Sequence, residues 1–339
     1  MRARAASRAF AGLPKRRSTW CWRRASDITA NRQHTSPGSK IMVSSSSAPL
    51  GFIGIGAMGL PMVSRLIAAG HPVIVWDHSP ERLDAARQAG AEVVGSAAEV
   101  GRRAEVVFLC LTDVAAVETV ALGSDGLSSV PQSRGVVVDF SSIPPDSTRS
   151  IAARLKAANG LSWVDAPVSG GPPGAKGGTL AVMAGGDSAD FERVRPYVST
   201  LSQRFTHMGP VGAGQLTKLC NQIIAACAMV VISEATRFAV DVGIDAARLP
   251  EALAGGFADS IPLQLFVPRM ANNTDLPAIG AVSIILKDLD TIADVARAHA
   301  TPLPMASLAA QMFRLLRSSR GPKADVLEIF KLGEPRPGA

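Results

Sequence analysis

Short apolar runs alternate with amphipathic segments from Leu50 to about residue 209, and this alternation limits the possible folds most strongly. The runs LGFIGIG, HPVIVWD, AEVVFLCL and GVVVDFSS are rich in Val, Ile and Phe, which is typical of buried strands. Segments with apolar residues at helical spacing, such as LPMVSRLIAAG, lie between them. Apolar strands joined by short helical crossovers predict a doubly wound parallel sheet with helices on both faces.

The pattern changes to helices only after about Gly209. A long first helix is expected over residues 214–241, and further helices are expected in the segments AARLPEALAGG, SIILKDLDTIADVARAHA and MASLAAQMFRLLRSS. The chain therefore divides into a basic tail over residues 1–48, an α/β domain over 49–209 and an all-α C-terminal domain over 210–330.

The basic tail accounts for the formal net charge of +7 of the whole chain. Residues 1–48 contain ten Lys or Arg and one acid, so the tail carries +9 and the rest carries −2. A weakly acidic body argues against nucleic acid as the main partner. The tail fits an organelle transit peptide, a start assigned too early with Met42 as the true start, or a disordered basic arm. No stretch of 18 apolar residues lies near the N-terminus, so no membrane span is expected there.

Gly54, Gly56 and Gly59 form a G-x-G-x-x-G pattern between a predicted strand and a predicted helix. In a Rossmann-type dinucleotide site these glycines allow a tight turn, a close approach to the pyrophosphate and close helix packing. The next strand ends on Asp77, where a carboxylate can hold both ribose hydroxyls and would repel a 2′-phosphate. His78 follows, and a half-charged imidazole binds phosphate poorly at neutral pH. The pattern predicts a site that prefers NAD(H) over NADP(H), unless Asp77 is only a solvated strand-end acid.

Lys218 lies in a polar stripe at the start of the long predicted helix. At 100° per residue, Gln215, Asn221 and Gln222 fall within about 60° of Lys218, and further along the helix the same stripe becomes apolar. A solvated face would stay polar along its length. A polar window at the domain junction therefore predicts the wall of a cleft. The alternative is a surface lysine on a partly exposed helix.

A second part of the cleft is expected at the carboxyl ends of the parallel strands, where open α/β sheets bind ligands. The segment DAPVSGG places Ser169, Gly170 and Gly171 there, and such a loop can present several N–H donors to an anion. By itself, however, the segment fits an ordinary Gly-rich loop better. The four cysteines form no C-x-x-C pair and no zinc-ligand spacing occurs, so we expect buried, reduced thiols and no metal site.

Together these motifs resemble the β-hydroxyacid dehydrogenase family. The similarity runs from residue 51 to about residue 289 in the family's order and spacing, through GFIGIGAMGLPM, DFSSIPP, DAPVSGGPPGAKGGTLAVMAGGD, GPVGAGQLTKLCNQ and LKDL. It covers most of the chain and excludes the tail. The family's fold implies a Rossmann-type α/β domain followed by an all-α domain.

The resemblance also implies roles for single residues. It makes Lys218 the catalytic lysine and Asn221 the asparagine of the K-x-x-N motif. The residues expected to bind the substrate are Ser169, Gly170, Gly171 and Gln222. The residues expected to contact the cofactor are Gly54, Gly56, Ala57, Met58, Gly59, Asp77, His78, Leu111, Thr112, Ser142 and Lys287.

The activity that the resemblance implies is hydride transfer between a nicotinamide and a small β-hydroxyacid or semialdehyde. The pair Asn221–Gln222 favours reduction of tartronate semialdehyde (2-hydroxy-3-oxopropionate) to D-glycerate. The alternatives are oxidation of 3-hydroxyisobutyrate and a non-catalytic binding module. The resemblance further implies a homodimer or homotetramer formed through the helical domain. The expected location is the cytoplasm, or the mitochondrial matrix if residues 1–41 are a transit peptide.

Overall fold

The structure is a computed structural model that describes residues 48–131, 134–272 and 278–332. The three interpretations of the basic tail therefore concern residues outside the described ones. Within the described residues, nine strands form one sheet. Their bounds are β1 Leu50–Ile53, β2 Val73–Trp76, β3 Glu92–Val93, β4 Val106–Leu109, β5 Val136–Asp139, β6 Ser162–Asp165, β7 Val168–Ser169, β8 Leu180–Gly185 and β9 Ser202–Gly209.

The strand order is β3-β2-β1-β4-β5-β6-β8-β7, and β9 pairs with β8. Strands β1 to β6 are parallel, so the doubly wound parallel sheet is confirmed over this part. Strand β8 runs antiparallel to β6 and β7 and parallel to β9, a mixed edge that the sequence did not indicate. The strand order reverses between β1 and β4, and sheets of this kind bind ligands at the carboxyl ends beside that point.

Helices cover both faces of the sheet, as predicted. Alternate residues of each strand enter different cores: Phe52 and Phe108 lie in one, whereas Ile53 and Leu109 lie in the other. All four side chains are fully buried. The helices between the strands are α1 Gly59–Ala68, α2 Pro80–Gln88, α3 Ala97–Arg103, α4 Val114–Leu122, α5 Pro145–Asn159, α6 Gly171–Gly177 and α7 Ser188–Val198.

Helices follow β9. They are α8 Ala213–Asp241, α9 Leu249–Leu253, α10 Ile261–Asn272, α11 Val282–Ala298 and α12 Pro304–Arg320, with a 3-10 helix at Val326–Lys331. Helix α8 contacts α10, α11 and α12, and Phe266, Leu286 and Phe313 lie in their shared core. By length and composition α8 could cross a membrane. Its contacts with three other helices make it the central helix of this region.

Candidate active site

The glycine-rich loop joins β1 to α1 at the carboxyl edge of the sheet. Gly54 has a φ of +92°, and a Cβ built on it would lie 2.4 Å from the carbonyl oxygen of Cys110. A Cβ on Gly59 would lie 2.1 Å from the carbonyl oxygen of Gly54. Both positions require glycine because backbone atoms approach too closely for any side chain.

Gly56 differs from these two glycines because the space beside it is open. The nearest atoms that a Cβ there would meet belong to the Arg82 guanidinium, 3.9 Å away. Ala57 is exposed and Met58 is half-buried at the tip of the same loop. An open surface of backbone N–H groups fits a loop that cradles a pyrophosphate.

Asp77 follows β2 directly and lies beneath the glycine-rich loop. Its Oδ2 accepts the N–H of Ile55 at 2.8 Å, and its Oδ1 accepts the N–H of Ser79 at 2.9 Å. The exposed His78 lies 3.3 Å from the carboxylate, and Arg82 lies 3.6 Å from it. Asp77 is therefore buried rather than solvated, and its oxygens keep lone pairs for a ribose hydroxyl. Arg82 adds a positive charge beside this acid and was not predicted from the sequence as a cofactor contact.

A cavity of about 400 Å³ lies between the sheet and helices α8 and α11. Its lining residues are Asp113, Val114, Ala115, Ser142, Ile143, Pro144, Leu219, Lys287, Asp288 and Thr291. Lys287 Nζ donates to the carbonyl oxygen of Ser142 at 2.9 Å. Leu111 and Thr112 lie in the loop after β4, where the Thr112 hydroxyl donates to Asp113 at 2.8 Å. The structure thus brings Ser142 and Lys287 together at the cavity, and Asp113, which directly follows Leu111 and Thr112, lines it as well.

Lys218 lies in the second turn of α8 and is half-buried. Its Nζ donates to the carbonyl oxygen of Val168 at 2.9 Å, so the amine lies beside the loop that begins at Ser169. Burial lowers the pKa of Lys218, whereas the charge of Asp288 acts to raise it and that of Lys287 to lower it. A lysine with a lowered pKa at the junction of two regions is typical of sites that transfer protons.

Asn221 and Gln222 of the α8 stripe form a chain of hydrogen bonds that ends on a buried acid. Asn221 Nδ2 donates to Gln222 Oε1 at 2.9 Å, and Gln222 Nε2 donates to Asp288 Oδ2 at 2.6 Å. Asp288 was not predicted as a site residue, although it directly follows Lys287 in the LKDL segment. A charged residue next to a predicted ligand contact is the signal that could have found it.

Ser169 ends β7, Gly170 follows it and Gly171 begins α6, so the three residues form the turn between these two elements. Gly170 has a φ of +125° and Gly171 a φ of +59°, so both adopt conformations that favour glycine. All three residues are exposed or half-buried, and Lys218 reaches the residue before them. The loop and the lysine therefore share one accessible surface.

Two buried acids lie below this surface, on neighbouring strand ends. Asp139 and Asp165 occupy paired positions of β5 and β6, and both are fully buried. Burial raises the pKa of each carboxyl, to about 7 for Asp139. Burial and Asp139 also raise the pKa of the Cys110 thiol to about 12, as expected of an inert buried thiol. The endings VVVD and SWVD of two apolar strands carried this signal, which the sequence reading missed.

Comparisons with known proteins agree with this architecture. A family model described as the NAD binding domain of 6-phosphogluconate dehydrogenase matches residues 49–209, and one described as the NAD-binding of NADP-dependent 3-hydroxyisobutyrate dehydrogenase matches residues 212–332. The 2-hydroxy-3-oxopropionate reductase of Escherichia coli (strain K12) is 37% identical over 276 residues, which cover 81% of this chain and 94% of that protein. The NAD-dependent L-serine dehydrogenase of Pseudomonas aeruginosa is 34% identical over 295 residues, 85% of this chain and 99% of that protein.

A solved structure of a related enzyme shows the same fold. The 3-hydroxyisobutyrate dehydrogenase of Mycobacterium tuberculosis, solved with L-serine, aligns with a TM-score of 0.76 and 28% identity. The alignment covers 86% of this chain and 100% of that chain. The family models span both the sheet and the helical region, and the similar proteins are reductases or dehydrogenases. The chain therefore belongs to the β-hydroxyacid dehydrogenase family and is an NAD(P)-dependent oxidoreductase.

Proposed function

We propose that this enzyme reduces tartronate semialdehyde to D-glycerate, with Lys218 as the proton donor. The proposal depends mainly on one observation, the half-buried Lys218 amine 2.9 Å from the carbonyl oxygen of Val168. That position puts the amine beside the loop beginning at Ser169, where a substrate carboxylate would bind. The 37% identity to the 2-hydroxy-3-oxopropionate reductase of Escherichia coli supports this substrate, as does the pair Asn221–Gln222.

In the proposed reaction, the ammonium group of Lys218 hydrogen-bonds the carbonyl oxygen of the substrate, polarises it and donates a proton to it. An ammonium has three N–H donors, and among the described residues Lys218 donates to one carbonyl oxygen, so donors remain for the substrate. Asn221 holds the substrate hydroxyl, and the loop Ser169, Gly170 and Gly171 binds the carboxylate. The bound nicotinamide supplies the hydride.

The lowered pKa of Lys218 bears on the direction of the reaction. Reduction requires the ammonium form, and oxidation requires the neutral amine. A lysine titrates ordinarily at about 10.4, so burial brings the neutral form closer to neutral pH and eases oxidation. We expect the rate of oxidation to rise with pH through the pKa of Lys218, and the rate of reduction to fall over the same range.

For the cofactor we propose a preference for NAD(H) over NADP(H), because the Asp77 carboxylate opposes a 2′-phosphate. Arg82, largely exposed and 3.6 Å from Asp77, offsets part of this repulsion. The preference is therefore expected to be incomplete. The other residues proposed to contact the dinucleotide are Gly54, Gly56, Ala57, Met58, Gly59, His78, Leu111, Thr112, Ser142 and Lys287.

We also propose a homodimer or homotetramer that forms through the helical region. Helix α8 exposes apolar side chains along its length, including Ile224, Val231 and Phe238 with 71%, 51% and 66% of their surfaces exposed. Apolar surface of this kind marks protein–protein contacts. Light scattering after size-exclusion chromatography should give a dimer or tetramer mass, and a monomer at micromolar concentration would contradict the proposal.

The substrate is tested by a panel of tartronate semialdehyde, 3-hydroxyisobutyrate and L-serine, each with both nicotinamide cofactors. We expect the highest kcat/KM for tartronate semialdehyde with NADH. A higher value for 3-hydroxyisobutyrate would assign the alternative activity, which the similarity to the Mycobacterium tuberculosis enzyme supports. Binding of NADH without turnover of any compound would leave only a binding module.

The role of Lys218 is tested by Lys218→Ala, with Lys156→Ala on an exposed face of α5 as the matched control. General acid–base groups contribute about 10²–10⁴-fold, so Lys218→Ala should lower kcat by about that factor while the Kd for NADH stays nearly unchanged. Lys156→Ala should behave as the unchanged protein. Retention of more than about a tenth of kcat in Lys218→Ala would reject this proton donor.

A further inference from the structure

The first turn of α8 lies against the carboxyl ends of the strands and is bound there by one side chain. Asp165 Oδ1 accepts the N–H of Gly212 at 2.7 Å, and Asp165 Oδ2 accepts the N–H of Gln215 at 2.9 Å. The first N–H groups of a helix have no acceptor within the helix, so an external carboxylate satisfies them and complements the positive end of the helix dipole. Asp165 is fully buried and lies about 50 residues before the helix that it caps.

Two glycines bring this turn into backbone contact with the sheet. A Cβ on Gly214 would lie 2.5 Å from the carbonyl oxygen of Met183 and 2.6 Å from that of Asp165. A Cβ on Gly185 would lie 2.7 Å from Asp165 Oδ1 and 2.8 Å from the N atom of Ala213. Because neither glycine has a side chain, the backbone of the helix start lies close to the sheet and can shift little before atoms collide. The position of the start of α8 relative to the sheet is therefore fixed by contacts between backbone atoms.

Gln215 joins the same turn to the loop after β5. Its Nε2 donates to the carbonyl oxygen of Ser141 at 2.8 Å, and its Oε1 accepts the N–H of Ile143 at 3.4 Å. Only 1% of Gln215 is exposed, so a loss of these partners would leave buried polar groups unpaired. The residue between the two contacts is Ser142, whose carbonyl oxygen accepts from Lys287 and which we place at the cofactor.

Lys218 lies three residues after Gln215, about 4.5 Å further along the helix axis. Its amine contacts Val168, three residues after Asp165. The first two turns of α8 thus carry the N–H groups that Asp165 caps, the Gln215 bridge and the proton donor. We propose that Asp165 and Gln215 are positioning residues, which hold Lys218 in a fixed place relative to the Ser142 loop at the cofactor. This inference rests on the proposed function, because it assigns the purpose of the fixed geometry to hydride transfer to the carbonyl carbon of the substrate and proton transfer to its oxygen.

The expected effect is on turnover rather than on binding of the cofactor. A misplacement of about 1 Å in a reacting group can cost about 10²-fold in rate. Gln215→Met keeps the length of the side chain and removes both contacts to the loop. We expect it to lower kcat by about 10- to 100-fold, with KM for NADH within about twofold of the unchanged protein. Asp165→Asn retains one acceptor for the helix and serves as the second variant if Gln215→Met folds poorly; we expect kcat to fall there as well.

Asn159 provides a matched control. Its buried Nδ2 donates to the carbonyl oxygens of Leu127 and Val130 at 2.8 and 3.2 Å, and its Oδ1 accepts the N–H of Leu161 at 3.2 Å. Asn159→Leu removes a buried amide bridge of the same kind at the far end of α5. It should lower thermal stability by a similar amount and leave kcat within about twofold, because none of its contacts reaches α8 or Ser142.

Hydrogen exchange gives a readout that is independent of activity. Peptides containing Ile143 should exchange faster in Gln215→Met than in the unchanged protein, whereas Asn159→Leu should leave them unaltered. The proposal is overturned if kcat of Gln215→Met stays within about threefold of the Asn159→Leu value, or if exchange at Ile143 does not change. If the unchanged protein turns over none of the panel compounds, the proposed function fails. In that case, faster hydrogen exchange at Ile143 in Gln215→Met but not in Asn159→Leu would still support the bridge that Gln215 forms to the Ser142 loop. Equal exchange at Ile143 in both variants would refute this bridge.

Discussion

Replacing Asp139 with asparagine should change how the stability of the protein depends on pH. Asp139 Oδ1 accepts the N–H of Ser141 at 2.9 Å, while Oδ2 is buried without a hydrogen-bond partner among the described residues. Burial raises the pKa of Asp139 from 3.8 to about 7, and the charge of Asp165 adds to the rise. Asp165 accepts two backbone N–H groups, so Asp139 is the member of this pair that holds a proton.

The magnitude follows from the difference between the folded and unfolded pKa values of Asp139. A shift from 3.8 to about 7 corresponds to about 4 kcal/mol, at about 1.4 kcal/mol per unit. Because the folded pKa is raised, this stabilisation is fully present below about pH 4 and is lost as the pH rises through about 7. Asparagine stays neutral and keeps the acceptor for Ser141. The stability of Asp139→Asn relative to the unchanged protein should therefore increase by about 4 kcal/mol across this window.

Urea unfolding of both proteins at a series of pH values measures this difference directly. Asp259→Asn is the control, since hydrogen bonds from the Gly255 N–H and Gln264 lower the pKa of this exposed carboxyl. Its stabilisation is present at neutral pH and is lost as the pH falls, so the sign of the control is opposite. A difference curve for Asp139→Asn that stays flat within about 1 kcal/mol would refute the reasoning, because Asp139 would then ionise as freely in the folded state as in the unfolded chain.

Single contacts elsewhere give three more predictions. Arg82→Ala should lower kcat/KM for NADPH about tenfold more than for NADH, because it removes one charge-assisted hydrogen bond to the 2′-phosphate. Steady-state kinetics measure both values, and equal losses for the two cofactors would contradict a role of Arg82 at the 2′-phosphate. Gly214→Ala should lower the free energy of unfolding by about 1–3 kcal/mol, because the Cβ of the new alanine would overlap the carbonyl oxygen of Met183. An unchanged midpoint of urea unfolding would argue against this close approach. The expectation of buried thiols is wrong for Cys220, which is exposed, and Cys110 is half-buried. Iodoacetamide should modify Cys220 but not Cys110, because burial raises the pKa of the Cys110 thiol to about 12. Peptide mass spectrometry reads both sites, and equal labelling would contradict this difference.

The sequence predicted those elements whose apolar residues are strongly periodic. The parallel strands and the helix over 214–241 agree with the structure, where α8 spans Ala213–Asp241. Strand β9 was missed because SQRFTHMG is polar and mostly exposed at the sheet edge, and so carries no buried-strand pattern. Helix α10 was missed as well, since it contains Pro268, which usually argues against a helix interior. The expected helix in AARLPEALAGG is reduced to a 3-10 turn and the five residues of α9.

The sequence pointed to candidate site residues only where they belong to a local pattern. The polar stripe of α8 indicated a cleft wall from Lys218 and its neighbours, and the structure places the amine at the junction of the sheet with the helices. Asp165 and Asp288 were missed because their partners lie 47 or more residues away, and no local spacing records such a contact. From the sequence alone, a single acid at a strand end is expected to be exposed to solvent, and only the tertiary structure shows which residues cover it. The assignment of roles to the stripe residues remains a prediction that the experiments above address.

The missed residue Asp288 changes how the LKDL segment is understood. Lys287 Nζ lies 3.7 Å from Asp288 Oδ1, and each of these side chains on α11 also has a partner of its own. Lys287 crosses to the carbonyl oxygen of Ser142 beside the sheet, whereas Asp288 accepts from Gln222 within the helical region. Burial is the main cause of the lowered pKa of Lys218, and these two neighbours act on it in opposite senses, Asp288 raising the pKa and Lys287 lowering it. A neutral residue at either position would remove one of the two charges that act on the Lys218 amine. At Lys287 it would also remove the contact between α11 and the Ser142 loop. The same dipeptide therefore contributes to both the geometry and the electrostatics of the proposed proton donor.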